Sequence, residues 1–341
     1  QPKIDIRTSP YIRKAPTVAE IMRNVVYALL PIAAYAVYQF GISALALMLV
    51  TVLACIGTEH MFCKLSDKKT TIGDASAIIT GLLLAMTLPP GFPLWMGAVA
   101  GFVAIAMGKT LFGGIGFNVF NPALVGRAFI QAAFPVSITT WTPALVANRF
   151  VEFIPSTLAL PFMKPAPTAE WTAQVSLDGF TGATPLALMK FQGIMTEATD
   201  LFLGLSAGST GETSALLILI CGAYLVYKKM LDWRIPAAVI LGTVISAECF
   251  YLLDATKYPT PAFMVFSGGL MFAAVFMASD MVASPVTPMG ILVFGLLVGF
   301  LTVIIRLFGG LTEAVMYAIL FGNAATPLIE SYTQPRIYGG K

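Results

Sequence analysis

Charge is what this sequence has least of. Only 11% of its 341 residues are Asp, Glu, Lys or Arg, where soluble domains carry about a quarter. That shortage excludes an ordinary soluble domain. Histidine is almost absent, with His60 alone. The four cysteines, Cys55, Cys63, Cys221 and Cys249, contain no CxxC pair. A zinc or iron–sulfur centre built from this chain alone is therefore not expected, and the cysteines read as small apolar residues packing in helices. The net charge of +3 gives no reason to expect nucleic-acid binding. Residues 1–20 are polar, with Lys3, Arg7, Arg13 and Lys14, and hold no apolar core of the kind a signal peptide requires.

What the chain has in abundance is hydrophobic residues, at 57%. They come in continuous blocks of about 17 to 22 residues, the length that crosses a hydrocarbon core of about 30 Å. Alternating patterns, which would suggest a β-barrel, are missing. The expected fold is an all-α polytopic membrane protein of about ten transmembrane helices. Spans are expected near residues 21–40, 42–62, 74–88, 94–107 and 117–134, and again near 214–227, 236–253, 262–278, 291–305 and 313–329. Residues 1–20 and 330–341 form polar termini, and residues 135–213 form one long mixed segment between the two blocks. Basic loops at 64–69 and 228–234 place those turns, and with them both termini, in the cytoplasm by the positive-inside bias. After five spans, residues 135–213 then lie on the opposite, extracytoplasmic side.

An internal repeat supports this division. Leu111-Phe112-Gly113-Gly114 follows the fourth span and Leu307-Phe308-Gly309-Gly310 the ninth. Each leads into a span containing Asn and Pro: Asn121-Pro122 in one half, Asn323 and Thr326-Pro327 in the other. Because five is odd, the halves are expected to be inverted, the arrangement of transporter-like folds with sites at broken helices. Asn121-Pro122 suits a helix that begins inside the membrane, with Asn as N-cap and Pro as first helical residue. Arg127 lies in the middle of that span. It is expected either to orient a polar cofactor or substrate or to form an inter-helix pair. Asp74, Asp280 and Glu313 sit at span ends and are expected to be caps or solvated, and Glu248 lies in the second half of the seventh span.

The long polar segment contains Asp178-Gly179-Phe180-Thr181-Gly182-Ala183-Thr184. Chemically this is a bendable loop of small residues ending in a hydroxyl, and an ordinary turn satisfies it equally well. The stretch resembles the flavinylation motif D-G-x-[ST]-G-A-T. That motif occurs in the D-type membrane subunit of Rnf complexes and the B-type subunit of the sodium-pumping NADH:quinone reductase, Nqr. Residues 117–129, Phe-Asn-Val-Phe-Asn-Pro-Ala-Leu-Val-Gly-Arg-Ala-Phe, and the opening around Ser9-Pro10 and Thr17-Val18 also resemble this family. The first span begins by Ile21, without the longer N-terminal extension of the Nqr subunit, which favours the Rnf branch.

The resemblance implies a fold similar to that of urea channels. It also implies FMN linked to Thr184 as a phosphoester, with Asp178, Gly179, Thr181, Gly182 and Ala183 forming the recognition loop for a flavin transferase. A second flavin, riboflavin held without a covalent bond, is expected near Asn118, Asn121 and Arg127. No catalytic or metal-binding residues are expected. The implied role is an electron-relay subunit of an ion-translocating ferredoxin:NAD oxidoreductase, inactive alone, in a bacterial inner membrane. It would work beside the A-, B-, C-, E- and G-type subunits and exchange electrons with the G-type flavoprotein. The competing expectations are a solute channel of the same fold and the Nqr subunit itself.

Overall fold

The computed structural model describes residues 17–67, 70–163, 165–168, 171–172, 184–204, 208–212, 214–310 and 312–335. Among them the regular structure is helical. The first block contains α1 (Val18–Phe40), α2 (Ile42–Leu65), α3 (Ser76–Met86), α4 (Leu94–Ile105) and α5 (Pro122–Ala133), followed by the short α6 (Pro135–Ile138). Two further short helices, α7 (Pro185–Gln192) and α8 (Ala198–Leu203), lie between the blocks. The second block contains α9 (Ala215–Tyr227), α10 (Arg234–Leu253), α11 (Pro261–Phe266), α12 (Leu270–Phe272), α13 (Pro288–Phe308) and α14 (Val315–Thr333).

Four of these, α1, α2, α10 and α13, are long and apolar enough to cross a membrane. The protein is thus an all-helical polytopic membrane protein. α14 is long enough, at 19 residues, but less apolar; the remaining expected spans hold helices shorter than one membrane length. Eleven residues of α3 rise only about 17 Å. Thr-Pro and Asn-Pro pairs supply the reason for several starts. Asn121, Thr184, Thr260 and Thr287 each cap a helix whose first residue is proline. The cap satisfies an orphan N–H, and proline gives up an N–H that has no partner there.

Glycine decides how the long helices meet. A Cβ on Gly295 would collide with Ala238, and one on Gly299 would stand 2.5 Å from the Thr243 nitrogen. These two glycines, four apart on α13, let its backbone lie directly on α10. Gly97 and Gly101, also four apart, do the same on α4, facing Leu47, Thr51 and Cys55 of α2. The pairs α2–α4 and α10–α13 are therefore packed by one device. Cys221 is buried, as is Cys55, Cys63 is half-buried and Cys249 is exposed. On α2, Leu45, Leu49 and Leu53 form an exposed apolar stripe at four-residue spacing, a surface suited to lipid.

Breaks also recur. Ala75, with φ of 62°, precedes α3, and Gly268, also at 62°, separates α11 from α12. Each break is met by a cation at the C-terminal end of the next long helix of its block. The Lys109 ammonium donates to Ser76 Oγ at 2.6 Å, and the Arg306 guanidinium donates to the Ser267 carbonyl at 3.0 Å. A π turn, closed by Leu111 N–H donating to the Ala106 carbonyl, ends α4 and carries Lys109.

The segment between the blocks packs on one end of the bundle, where Gly41 joins α1 to α2. Ile42 N–H donates to the Arg149 carbonyl, Leu94 N–H to Thr157, and Gly211 N–H to Met86. Tyr224, near the end of α9, reaches Asn24 at the start of α1, so Lys228 and Lys229 lie at the opposite end.

Candidate functional site

Of the Asp178–Thr184 stretch only Thr184 is among the described residues; Asp178, Gly179, Thr181, Gly182 and Ala183 lie outside them. Thr184 is buried, and its Oγ accepts from Ala187 N–H at 3.3 Å as the N-cap of α7. The same capping by Thr260 and Thr287 shows that this geometry alone does not mark a modification site.

What distinguishes α7 is where it lies. Leu186 is buried with Leu201 and Phe263, and its side chain comes within 2.7 Å of where a Gly268 Cβ would be. The helix thus sits against the break between α11 and α12. Lys190 fastens it there by donating to the Arg306 and Gly309 carbonyls at the end of α13. Ala187 and Phe191 then line a cavity of about 270 Å³ with Arg127, Trp141 and Glu313.

Four charged side chains are buried in this neighbourhood, two of them, Arg127 and Glu313, in the cavity wall. Arg127 of α5 is ion-paired to Glu313, which precedes α14. Arg306 spends its donors on carbonyls freed by the break, Met264 at 2.5 Å and Ser267 at 3.0 Å. Glu212 lies against Gly269, where any Cβ would collide with its carboxylate. Ser209 stands beside Glu212, yet neither carboxylate oxygen has a hydrogen bond of normal geometry. Arg127 Nε and Nη1 and Arg306 Nε also lack partners. The expectation that Glu313 is a solvated or capping end residue is corrected: it is 7% exposed and ion-paired to Arg127. Asp74 does cap, accepting from Ser76 N–H at 2.8 Å.

A second polar neighbourhood gathers where the two blocks meet. Asn121 caps α5 through its Oδ1, which accepts from Ala123 N–H, and its Nδ2 donates to the Met277 carbonyl at 3.2 Å. The Asn323 amide, in the orientation that satisfies both neighbours, accepts from Asn121 N–H and donates to the Ala283 carbonyl. Asn118 reaches Asp280 at 3.4 Å. Lys109, paired with Glu59 at 2.6 Å, joins Ser76, Thr80, Asn118, Asn121, Ser279 and Asp280 around a cavity of about 120 Å³.

The structure brings Asn118 and Asn121 together and keeps Arg127 apart. Arg127 lies six positions after Asn121, a rise of about 9 Å along α5, and lines the other cavity. One shared site for the three is thereby corrected to two. Glu59, Lys109, Glu212 and Arg306 were not singled out in the sequence. A signal did exist: buried ionisable groups in apolar spans are expensive and seldom idle.

The comparisons with known proteins agree over nearly the whole length. The NQR2, RnfD, RnfE family matches residues 5–339. The chain belongs to that family. The D subunit of the Na⁺-translocating ferredoxin:NAD⁺ oxidoreductase complex of Acetobacterium woodii is 42% identical, over 98% of this chain and 95% of that protein. The D subunit of the proton-translocating ferredoxin:NAD⁺ oxidoreductase complex of Clostridium ljungdahlii is 39% identical, over 98% and 96%. The D subunit of an ion-translocating oxidoreductase complex of Halorhodospira halophila is 34% identical, over 98% and 95%. All three relatives of this NQR2, RnfD, RnfE family member are named as D subunits.

Proposed function

We propose that this protein is the D-type subunit of an Rnf complex, a membrane flavoprotein that relays electrons between ferredoxin and NAD⁺ while the complex moves Na⁺ or H⁺. The observation that carries the reading is Asp178–Thr184 in a chain that matches D-type relatives at 39–42% identity end to end. FMN is attached at Thr184. A flavin transferase cleaves the pyrophosphate of FAD, the Thr184 Oγ–phosphorus bond forms, AMP leaves, and the hydroxyl proton passes to a base of the transferase. Because Thr184 is buried as a helix cap, attachment precedes docking of α7 or requires it to lift.

The Gly41 end of the bundle is extracytoplasmic in this reading. Support comes from the basic residues at the opposite end, Arg23, Lys64, Lys228, Lys229 and Arg234, and from the positive-inside bias. The paired breaks, cations and glycine contacts favour two inverted five-span halves. The chain's part in the relay is positioning: α7 holds the tether, and the buried Arg–Glu cluster supplies fixed charges next to it. The flavin itself carries the electrons. Partners are the other Rnf subunits, above all the G-type flavoprotein on the same side as Thr184, within a bacterial inner membrane.

Riboflavin fits the second cavity less well. Amide, hydroxyl and ammonium groups there match ribityl hydroxyls, but about 120 Å³ is far below the roughly 300 Å³ where ligand pockets begin. The cavity as it stands holds a fragment and not the ring, and no electron step is assigned to it.

The test is the denatured band of the purified chain, expressed with the transferase. It is expected to fluoresce under blue light, and Thr184→Ala is expected to abolish the signal completely. That variant also loses the α7 cap, worth about 1 kcal/mol. Thr184→Ser keeps the cap and should accumulate like the parent. A dark parent band sinks the proposal and leaves the solute-channel alternative.

A further inference from the structure

We infer that the cavity lined by Arg127, Trp141, Ala187, Phe191 and Glu313 seats the isoalloxazine ring of the flavin carried by Thr184, with Arg127 holding the ring's pyrimidine edge. This rests on the flavinylation proposed above.

Three observations converge on it. The first is reach. Ala187, whose N–H donates to Thr184 Oγ, is itself a wall of the cavity. A group tethered at Thr184 therefore starts at the cavity's rim. The second is size and lining. About 270 Å³ lies just under the roughly 300–1,000 Å³ of pockets that enclose a whole drug-sized ligand, which suits one end of a tethered molecule. Trp141 and Phe191 put aromatic side chains in its wall, the residue type that stacks with a flat ring.

The third is the unused polar capacity. Arg127 is 2% exposed, yet its Nε and Nη1 donate to nothing while Nη2 is engaged by Glu313. Buried donors without partners are rare and point to an absent acceptor. The isoalloxazine pyrimidine edge presents C2=O beside N1 and C4=O beside N5, acceptor pairs matched to a guanidinium fork. Glu313 fixes that fork in place. A cation at this edge also has a functional consequence. Reduction of the ring puts negative charge on the same edge, so a fixed guanidinium favours the reduced form and raises the reduction potential. Arg127 is thus a positioning and tuning residue for the flavin, separate from its attachment.

The experiment uses the assembled complex, purified from cells that contain the transferase. Three readings are taken: fluorescence of the denatured band, the midpoint potential of the Thr184-dependent flavin, and quenching of its native fluorescence by iodide. Arg127→Gln is expected to keep the bright denatured band, shift the midpoint to a more negative potential and raise the quenching constant several-fold. Arg127→Lys keeps the charge but not the fork, and should give a smaller shift in the same direction. Phe191→Ala, at a side chain 72% exposed, is expected to keep the bright denatured band while raising iodide quenching, because it opens one wall of the seat. If Arg127→Gln does not accumulate, Arg127→Lys and Phe191→Ala decide the matter. Bright bands with unchanged potential and unchanged quenching in the variants that accumulate overturn the seat and leave attachment standing. A dark parent band overturns the attachment itself.

Discussion

Replacing Lys109 by methionine is expected to cost about 3–5 kcal/mol of stability, the usual penalty for leaving one member of a buried ion pair uncompensated. Lys109 is 4% exposed and its Nζ lies 2.6 Å from Glu59 Oε1. Glu59 keeps only the Thr71 hydroxyl once the ammonium is gone, since its Oε2 already has no partner. Ser76 Oγ loses a donor as well, at the first residue of α3. The penalty belongs to the orphaned charge rather than to a strong bond. Glu59→Leu combined with Lys109→Met should therefore recover most of the loss, because an apolar pair of similar volume needs no compensation. Thermal unfolding of the detergent-solubilised chain, run as a double-mutant cycle, measures this. A Lys109→Met variant within about 0.5 kcal/mol of the parent, the range of ordinary surface substitutions, would rule out the pair.

Gly299→Leu is expected to prevent the two longest helices of the second block from meeting and to abolish accumulation of folded protein. The Cβ alone would stand 2.5 Å from the Thr243 nitrogen and 2.6 Å from the Val239 carbonyl oxygen. Both are backbone atoms, so no rotamer change relieves the contact. Gly299→Ala already forces the helices apart and should cost about 1–3 kcal/mol by overpacking. Gly57 is the internal control. It is also helical, but nothing lies within 4 Å of its would-be Cβ. Gly57→Ala should therefore stabilise by up to about 1 kcal/mol through helix propensity. Chemical unfolding in detergent compares the three. Equal effects at positions 57 and 299 would mean that backbone contact between α10 and α13 is not what holds that pair.

Span positions were legible because an apolar run has to match membrane thickness. Expected starts at Ile42 and Leu94 coincide with α2 and α4. The break before Pro122 was legible too, because Asn followed by Pro has a local preference that needs no partner, and Asn121 does cap α5. Ten full spans were not realised as helices of membrane length. Breaks at Ala75 and Gly268 depend on cations delivered by the next long helix, a non-local cause. Glycine contacts were equally hidden, since a small residue four positions from another is common in apolar helices and becomes informative only beside its neighbour.

By itself the sequence determined that this is a polytopic helical membrane protein, which family it resembles and which hydroxyl to examine. Those properties follow from composition, local propensity and a contiguous motif. The tertiary structure decided which buried charges meet. Arg127 and Glu313 are 186 positions apart and Lys109 and Glu59 are 50 apart, so their partnership follows from packing rather than from spacing. The structure also divided one expected cofactor neighbourhood into two, because Arg127 lies nearly two turns along α5 from Asn121 and turns to the cavity beside Thr184's helix.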